Sequence, residues 1–144
     1  MVHNRSVPTS TMLAHVTCED IPAAVAWLED ALGFHEHFRY GDPIAGVQMS
    51  LGDAWIMLNT PRAERATPAR LGRMTQSLTI VVADVDAAFA RATAAGAPVV
   101  EDLNETEYGE RQFVVADPDG HRWLIAQHVR DVAPDEWGAI PNTG

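Results

Sequence analysis

His15, His35 and His37 are the side chains of this sequence best suited to hold a metal ion or move a proton. His35 and His37 stand two apart in a run that alternates large and charged residues, so a strand would put both imidazoles on one face. With a third convergent donor such a pair binds a divalent metal; without one, it is a pair of solvated surface residues. His15 sits in the apolar run Met12 to Cys18, where alternation sets Leu13, His15 and Thr17 on a common face. Facing a cavity, its imidazole would serve as a hydrogen-bonding or acid–base group; the plainer alternative is a partly buried, satisfied histidine. Tyr108 and Arg111 flank Gly109 just before another strand. An aromatic ring and a guanidinium there could close over a planar or anionic ligand, or act as a loop anchor and an ion pair with Glu107 or Glu110. His121 and His128 fall at a turn and a strand end, where solvation is cheap. Cys18, the single cysteine, has no basic neighbour in sequence to stabilise a thiolate and reads as a buried structural thiol.

The elements that must position these groups occur twice. Asp20-Ile21-Pro22-Ala23-Ala24-Val25 returns as Asp84-Val85-Asp86-Ala87-Ala88-Phe89, at a constant offset of 64 residues. Both aspartates suit an N-cap, accepting from backbone N–H groups of a first helical turn, and Pro22 is tolerated within that turn. Apolar residues recur at Ile21, Val25, Leu28 and Leu32, and at Val85, Phe89 and Ala92, the spacing of one buried helical face. Gly33 and Gly96 end the two helices. A strand precedes each helix, Met12 to Cys18 or Leu78 to Val82. Three follow it: 34–40, 46–51 and 54–58 in the first copy, 98–101, 111–116 and 123–128 in the second. Asp117-Pro118-Asp119-Gly120 suits a type I turn. The fold class is α+β, two tandem βαβββ modules at about 10–60 and 77–129, with a linker at about 61–76 and a tail over 130–144. The acidic stretch 102–110 and the tail read as irregular, with Trp137 anchoring the tail to the body.

Composition limits the partners. A net charge of −10 argues against nucleic acid, for which a basic stripe is expected. No apolar run approaches the ~20 residues of a membrane span, and no leader pattern opens the chain, so a cytoplasmic protein is expected. One cysteine excludes an internal disulfide. All ten basic residues are arginine, and Arg62, Arg65, Arg70 and Arg73 lie in the stretch between the modules. That stretch is either a solvated linker or an arginine lid over an anionic ligand. Trp55 and Trp123 follow the two hairpin turns and read as core or interface residues on the face opposite Leu13 and Ser77.

The run Tyr108 to Trp123, with Asp117-Pro118-Asp119-Gly120 at its centre, and Asp20 to Phe34, ending in Ala31-Leu32-Gly33-Phe34, resemble the glyoxalase, bleomycin-resistance and extradiol-dioxygenase superfamily. The resemblance covers about Met12 to His128. It implies curved mixed sheets around a cavity, a small-molecule ligand and a homodimer. Enzymes of this build chelate a divalent ion with His or Glu seven positions before each capping aspartate and four positions after the turn glycine. Those positions are Leu13, Ser77 and Leu124 here, with Ile56 or Met57 completing the set. None offers an imidazole or a carboxylate, so no metal and no other cofactor is expected. The expected ligand-binding residues are Leu13, His15, Thr17, Ser77, Thr79, Tyr108, Arg111 and Leu124. They describe a metal-independent binding protein; the alternative is a lyase, isomerase or dioxygenase-type enzyme using His15, Tyr108 and Arg111, or displaced ligands.

Overall fold

Both capping aspartates close a first helical turn in the computed structural model, which describes residues 2–144. Asp20 Oδ1 accepts from the Ala23 amide at 3.1 Å and Asp84 Oδ1 from the Ala87 amide at 3.0 Å. They open α1 (Ile21–Trp27), which continues as a π-helical turn over Leu28–Leu32, and α3 (Val85–Ala94). Gly33 leaves the first helix at a φ of 84°, a conformation that favours glycine. The strands are β1 (Ala14–Thr17), β2 (His35–Tyr40), β3 (Gly46–Leu51), β4 (Ala54–Asn59), β5 (Leu78–Val81), β6 (Val99–Glu105), β7 (Glu110–Ala116) and β8 (Arg122–His128). They form two four-stranded sheets, ordered β1-β4-β3-β2 and β5-β8-β7-β6. In each, the first and last strands of a module pair in parallel and the other pairs are antiparallel.

Alternation sorts every strand into two faces. Val16, Val47, Met49, Ile56 and Leu58 turn to the helices in the first sheet, and Phe113, Val115, Trp123 and Ile125 do so in the second. These residues and the apolar faces of α1 and α3 form one core that spans both modules. Phe34 meets Trp123 edge-on at 5.7 Å across it. Arg91 of α3 donates to the Glu29 and Asp30 carbonyls at 2.8 and 3.0 Å, supplying partners that the end of the first helix lacks.

A polar turn fastens the modules to each other. Gly120 N donates to the Asp117 carbonyl at 3.0 Å, as the expected turn requires. The Asp117 carboxylate accepts from Trp123 Nε1 at 3.0 Å and from the Asp119 and His121 amides at 3.0 and 2.9 Å. Burial still pushes the Asp117 carboxyl up from its ordinary value, against the pull of the Trp123 hydrogen bond and of His121. Asp119 then accepts from the Glu19 amide at 3.0 Å, and His121 Nε2 donates to the Thr17 carbonyl at 2.7 Å.

Four expectations are corrected. β6 runs to Glu105, because its acidic residues pair along β7, leaving irregular only 106–109. The stretch 61–76 contains a short helix, α2 (Pro68–Leu71), capped by the Thr67 hydroxyl and tied to the turn by Ala69 N donating to the Asp119 carbonyl at 2.9 Å. The tail holds a 3-10 turn over Pro134–Trp137. Trp55 does not lie opposite Leu13. The hairpin pair Leu51–Ala54 faces the helices and Ala116–Arg122 faces away, so the next residue points outward at Trp55 and inward at Trp123.

Trp123→Phe keeps an aromatic ring in the core but removes the donor to Asp117. It should cost about 2–4 kcal/mol, from a lost bond to a charged acceptor plus unfilled volume. A lower urea midpoint at unchanged m-value reads this out.

Candidate functional site

The outward face of the first sheet is built from rows of paired residues. Gln48, Met57 and His15 are successive Cα partners across β3, β4 and β1, as are Gly46, Asn59 and Thr17. Ser50 pairs with Trp55 beside them. Thr17 Oγ1 donates to Asn59 Oδ1 at 2.8 Å. Gln48 is buried and its Oε1 accepts from His37 Nδ1 at 2.7 Å, while His37 stands edge-on to Trp55 at 5.4 Å. Tyr40 covers Gly46 so closely that a Cβ there would lie 2.5 Å from its ring. Leu13, which precedes β1, is half-buried and His15 exposed, and within the strand His15 and Thr17 share a face.

His15 and Thr17 line a cavity of about 350 Å³ whose other wall is the segment between the modules. Glu64, Arg65, Leu71, Gln76 and His121 contribute to it. Arg65 is committed to the Thr60 carbonyl, at 2.9 and 2.6 Å from Nε and Nη2, and Arg70 to Glu19 at 3.0 Å.

The second sheet presents Thr79 and Val81 on the edge strand, which Ser77 precedes, with Thr79, Leu124 and Val114 as successive partners. Ser77 and Thr79 are exposed, and Val81 is 53 % exposed. At the far end of this face Tyr108 packs against Trp137, with ring centroids 5.3 Å apart and planes tilted by 50°, and lines a cleft of about 690 Å³ with Glu110, His128 and Arg130. His128 Nδ1 lies 2.7 Å from Glu110 Oε2. Gly109 permits this corner, since a Cβ there would lie 2.3 Å from the Arg130 carbonyl oxygen.

Tyr108 and Arg111 therefore do not converge. Arg111 turns to the helix side and binds Asp86 at 2.9 Å, not Glu107 or Glu110. Its guanidinium holds the Asp86 carboxyl below its ordinary value. His15 and Thr17 share one cavity, Tyr108 belongs to another, and Leu13, Ser77, Thr79 and Leu124 lie on the open faces of two sheets. Gln48 and Trp55 were not anticipated as site residues, His37 was weighed only as a metal ligand beside His35, and Glu110 and His128 were read as an ion-pair partner of Arg111 and a solvated strand end. The strand register puts Gln48 on the His15 face, but the irregularity between Glu36 and Phe38 that aims His37 has no sequence signal.

The donor set does not fit a divalent metal. Leu13, Met57 and Leu124 carry no nitrogen or oxygen donor, and Ser77 brings a lone hydroxyl. Among the described residues no three His, Cys, Asp or Glu side chains converge as ligands. Cys18 is buried behind β1, and burial, with Asp119 and Asp117 adding, pushes its thiol up, which keeps it protonated and inert.

Two curved βαβββ modules with this turn and these sheet orders define a glyoxalase-like α+β fold. The chain belongs to the Glyoxalase/Bleomycin resistance protein/Dioxygenase superfamily, whose family model matches residues 11–125. It is 35% identical over 130 residues to the uncharacterized protein Mb0911c of Mycobacterium bovis, covering 85% of this chain and 86% of that one. The crystal structure of TioX from Micromonospora sp. ML1 superposes with a TM-score of 0.70 at 29% identity, over 83% of this chain and 99% of TioX. Lactoylglutathione lyase from Agrobacterium tumefaciens shares the fold, with a TM-score of 0.63 at 23% identity over 83% of this chain and 94% of that one. No helix among the described residues is long and apolar enough to cross a membrane.

Asp86→Asn tests the assignment of Arg111. Because the folded-state carboxyl is lowered, the pair contributes stability above the unfolded value near 3.9, and loses it as pH falls through the folded value. Urea midpoints between about pH 2.5 and 7 should show this acid-side loss diminished in the variant.

Proposed function

We propose that this chain is a metal-independent small-molecule binding protein of its superfamily, which sequesters a drug or natural product rather than converting it. The donor set carries this reading. Leucine, serine and methionine stand where enzymes of this build keep imidazole and carboxylate, so the outward faces offer apolar, aromatic and amide contacts. Leu13, His15, Thr17, Ser77, Thr79 and Leu124 are the residues proposed to face the ligand, in a cytoplasmic protein whose modules span about 10–60 and 77–129. A homodimer is part of this proposal, and Val81, exposed on the outward face of β5, offers an apolar contact to a second copy. Light scattering should report about twice the 15.7 kDa chain mass at micromolar concentration, and a monomer would contradict the dimer.

Protein purified without a histidine tag should hold well under one equivalent of nickel, zinc, iron or manganese. Planar aromatic antibiotics at about 100 times Kd should raise its Tm by roughly 5–10 °C. About one equivalent of tightly held metal overturns the reading.

A metal-free lyase or isomerase is the second reading, favoured by the Glu110 carboxylate behind His128 in the Tyr108 cleft. Product formation from a bound ligand, lost in His128→Gln, distinguishes it from sequestration.

A further inference from the structure

Residues 3–9 lie over the outward face of the first sheet without adding a strand to it. Between this segment and the sheet is a cavity of about 390 Å³, floored by His37, Gln48 and Trp55. Gln48 is only 2 % exposed, so its carboxamide must find partners inside the protein. Oε1 accepts a hydrogen bond from His37 Nδ1 at 2.7 Å, and Nε2 donates to the Ser6 carbonyl at 3.3 Å, near the long end for such a bond. The amide keeps one further N–H and one further lone pair, and with the proton on Nδ1 the His37 Nε2 atom keeps an acceptor.

The covering segment is lightly held. It is braced by its own turn, with Ser6 N on Asn4 Oδ1 at 2.9 Å and Val7 N on the Asn4 carbonyl at 3.4 Å, and Val7 is 50 % exposed. A stretch with so few buried contacts opens far more readily than the body of the protein. The volume lies in the range of small-molecule pockets. Its floor offers an indole ring and a carboxamide, and the His3 imidazole and Arg5 guanidinium of the covering segment complete the lining.

We propose that this is a ligand site roofed by the chain's own amino-terminal segment, taking a flat heteroaromatic molecule that carries neighbouring N–H and C=O groups on one edge. The ring lies against Trp55, the edge pairs with the Gln48 carboxamide, and residues 3–9 close over the complex. The assignment rests on the binding function proposed above and gives it a ligand class and a place on the face that His15 shares, at Gln48 and Trp55 rather than at Ser77, Thr79 and Leu124 of the second module.

Lumichrome, a neutral three-ring compound with an imide edge, is a suitable probe for the full chain. Saturable quenching of its fluorescence should be accompanied by slower amide exchange in residues 3–9. Gln48→Met and Trp55→Ala should each weaken binding at least tenfold. Val7→Gly combined with Pro8→Gly loosens the roof, leaves the floor intact and should speed dissociation severalfold; this variant decides the matter if Gln48→Met fails to fold. Equal affinity in the wild type, Gln48→Met and the double glycine variant overturns the site, as does the absence of binding at millimolar lumichrome. Binding lost in His15→Ala but unchanged in Gln48→Met also overturns it, while leaving the general binding function standing. A tightly held equivalent of metal removes that function itself.

Discussion

One core, filled from two sheets at once, governs the arrangement of this chain. A strand shows its side chains alternately to two sides. When both sheets turn their apolar sides to α1 and α3, the other side of each is left without cover from the chain's own helices. Val16 and Ile56 disappear into the core while their neighbours His15 and Trp55 face outward, and Ile125 is buried while Leu124 stays partly open. The two outward faces do not meet within one compact set of residues. His15 and Thr17 are enclosed by the segment between the modules, Gln48 by the amino-terminal residues, and Tyr108 by the tail. Each irregular segment of the chain thus covers part of a face that the helices leave bare.

The modules keep a fixed relation because the link between them is polar as well as apolar. Asp117 gathers three donors around a buried carboxylate, which makes the turn rigid, and the turn then reaches the first module through Asp119 and His121. Apolar contacts such as Phe34 on Trp123 supply stabilisation but tolerate sliding; hydrogen bonds to Glu19 and Thr17 admit only one register. The same turn accepts from Ala69, so the inter-module segment is anchored in the middle of its length. Two of its four arginines serve this anchoring, Arg65 toward Thr60 and Arg70 toward Glu19.

Local chemistry was legible in the sequence, and partners distant in the chain were not. The caps at Asp20 and Asp84, the stops at Gly33 and Gly96 and the common face of His15 and Thr17 each depend on a few adjacent residues, and the structure has them. Arg111 was misjudged because its partner, Asp86, lies 25 residues away on a helix; the nearer Glu110 is adjacent along the strand and so faces the other side. Trp55 was misjudged because the face of a residue after a hairpin depends on which pair closes it, a pairing fact rather than a composition fact. The amino-terminal roof had no signal, since residues 3–9 carry no periodicity and reach Gln48 only through a backbone carbonyl.

The separation of faces also explains why this superfamily's fold is so much easier to read than its chemistry. Positions that hold a metal in its enzymes point away from the core, so leucine or serine there leaves the packing of Trp123, Val115 and Ile56 undisturbed. Losing those donors costs the fold almost nothing and changes what the face can bind. Inward positions lack this freedom, because the core they fill is shared by both modules and a change in one sheet is felt by the other.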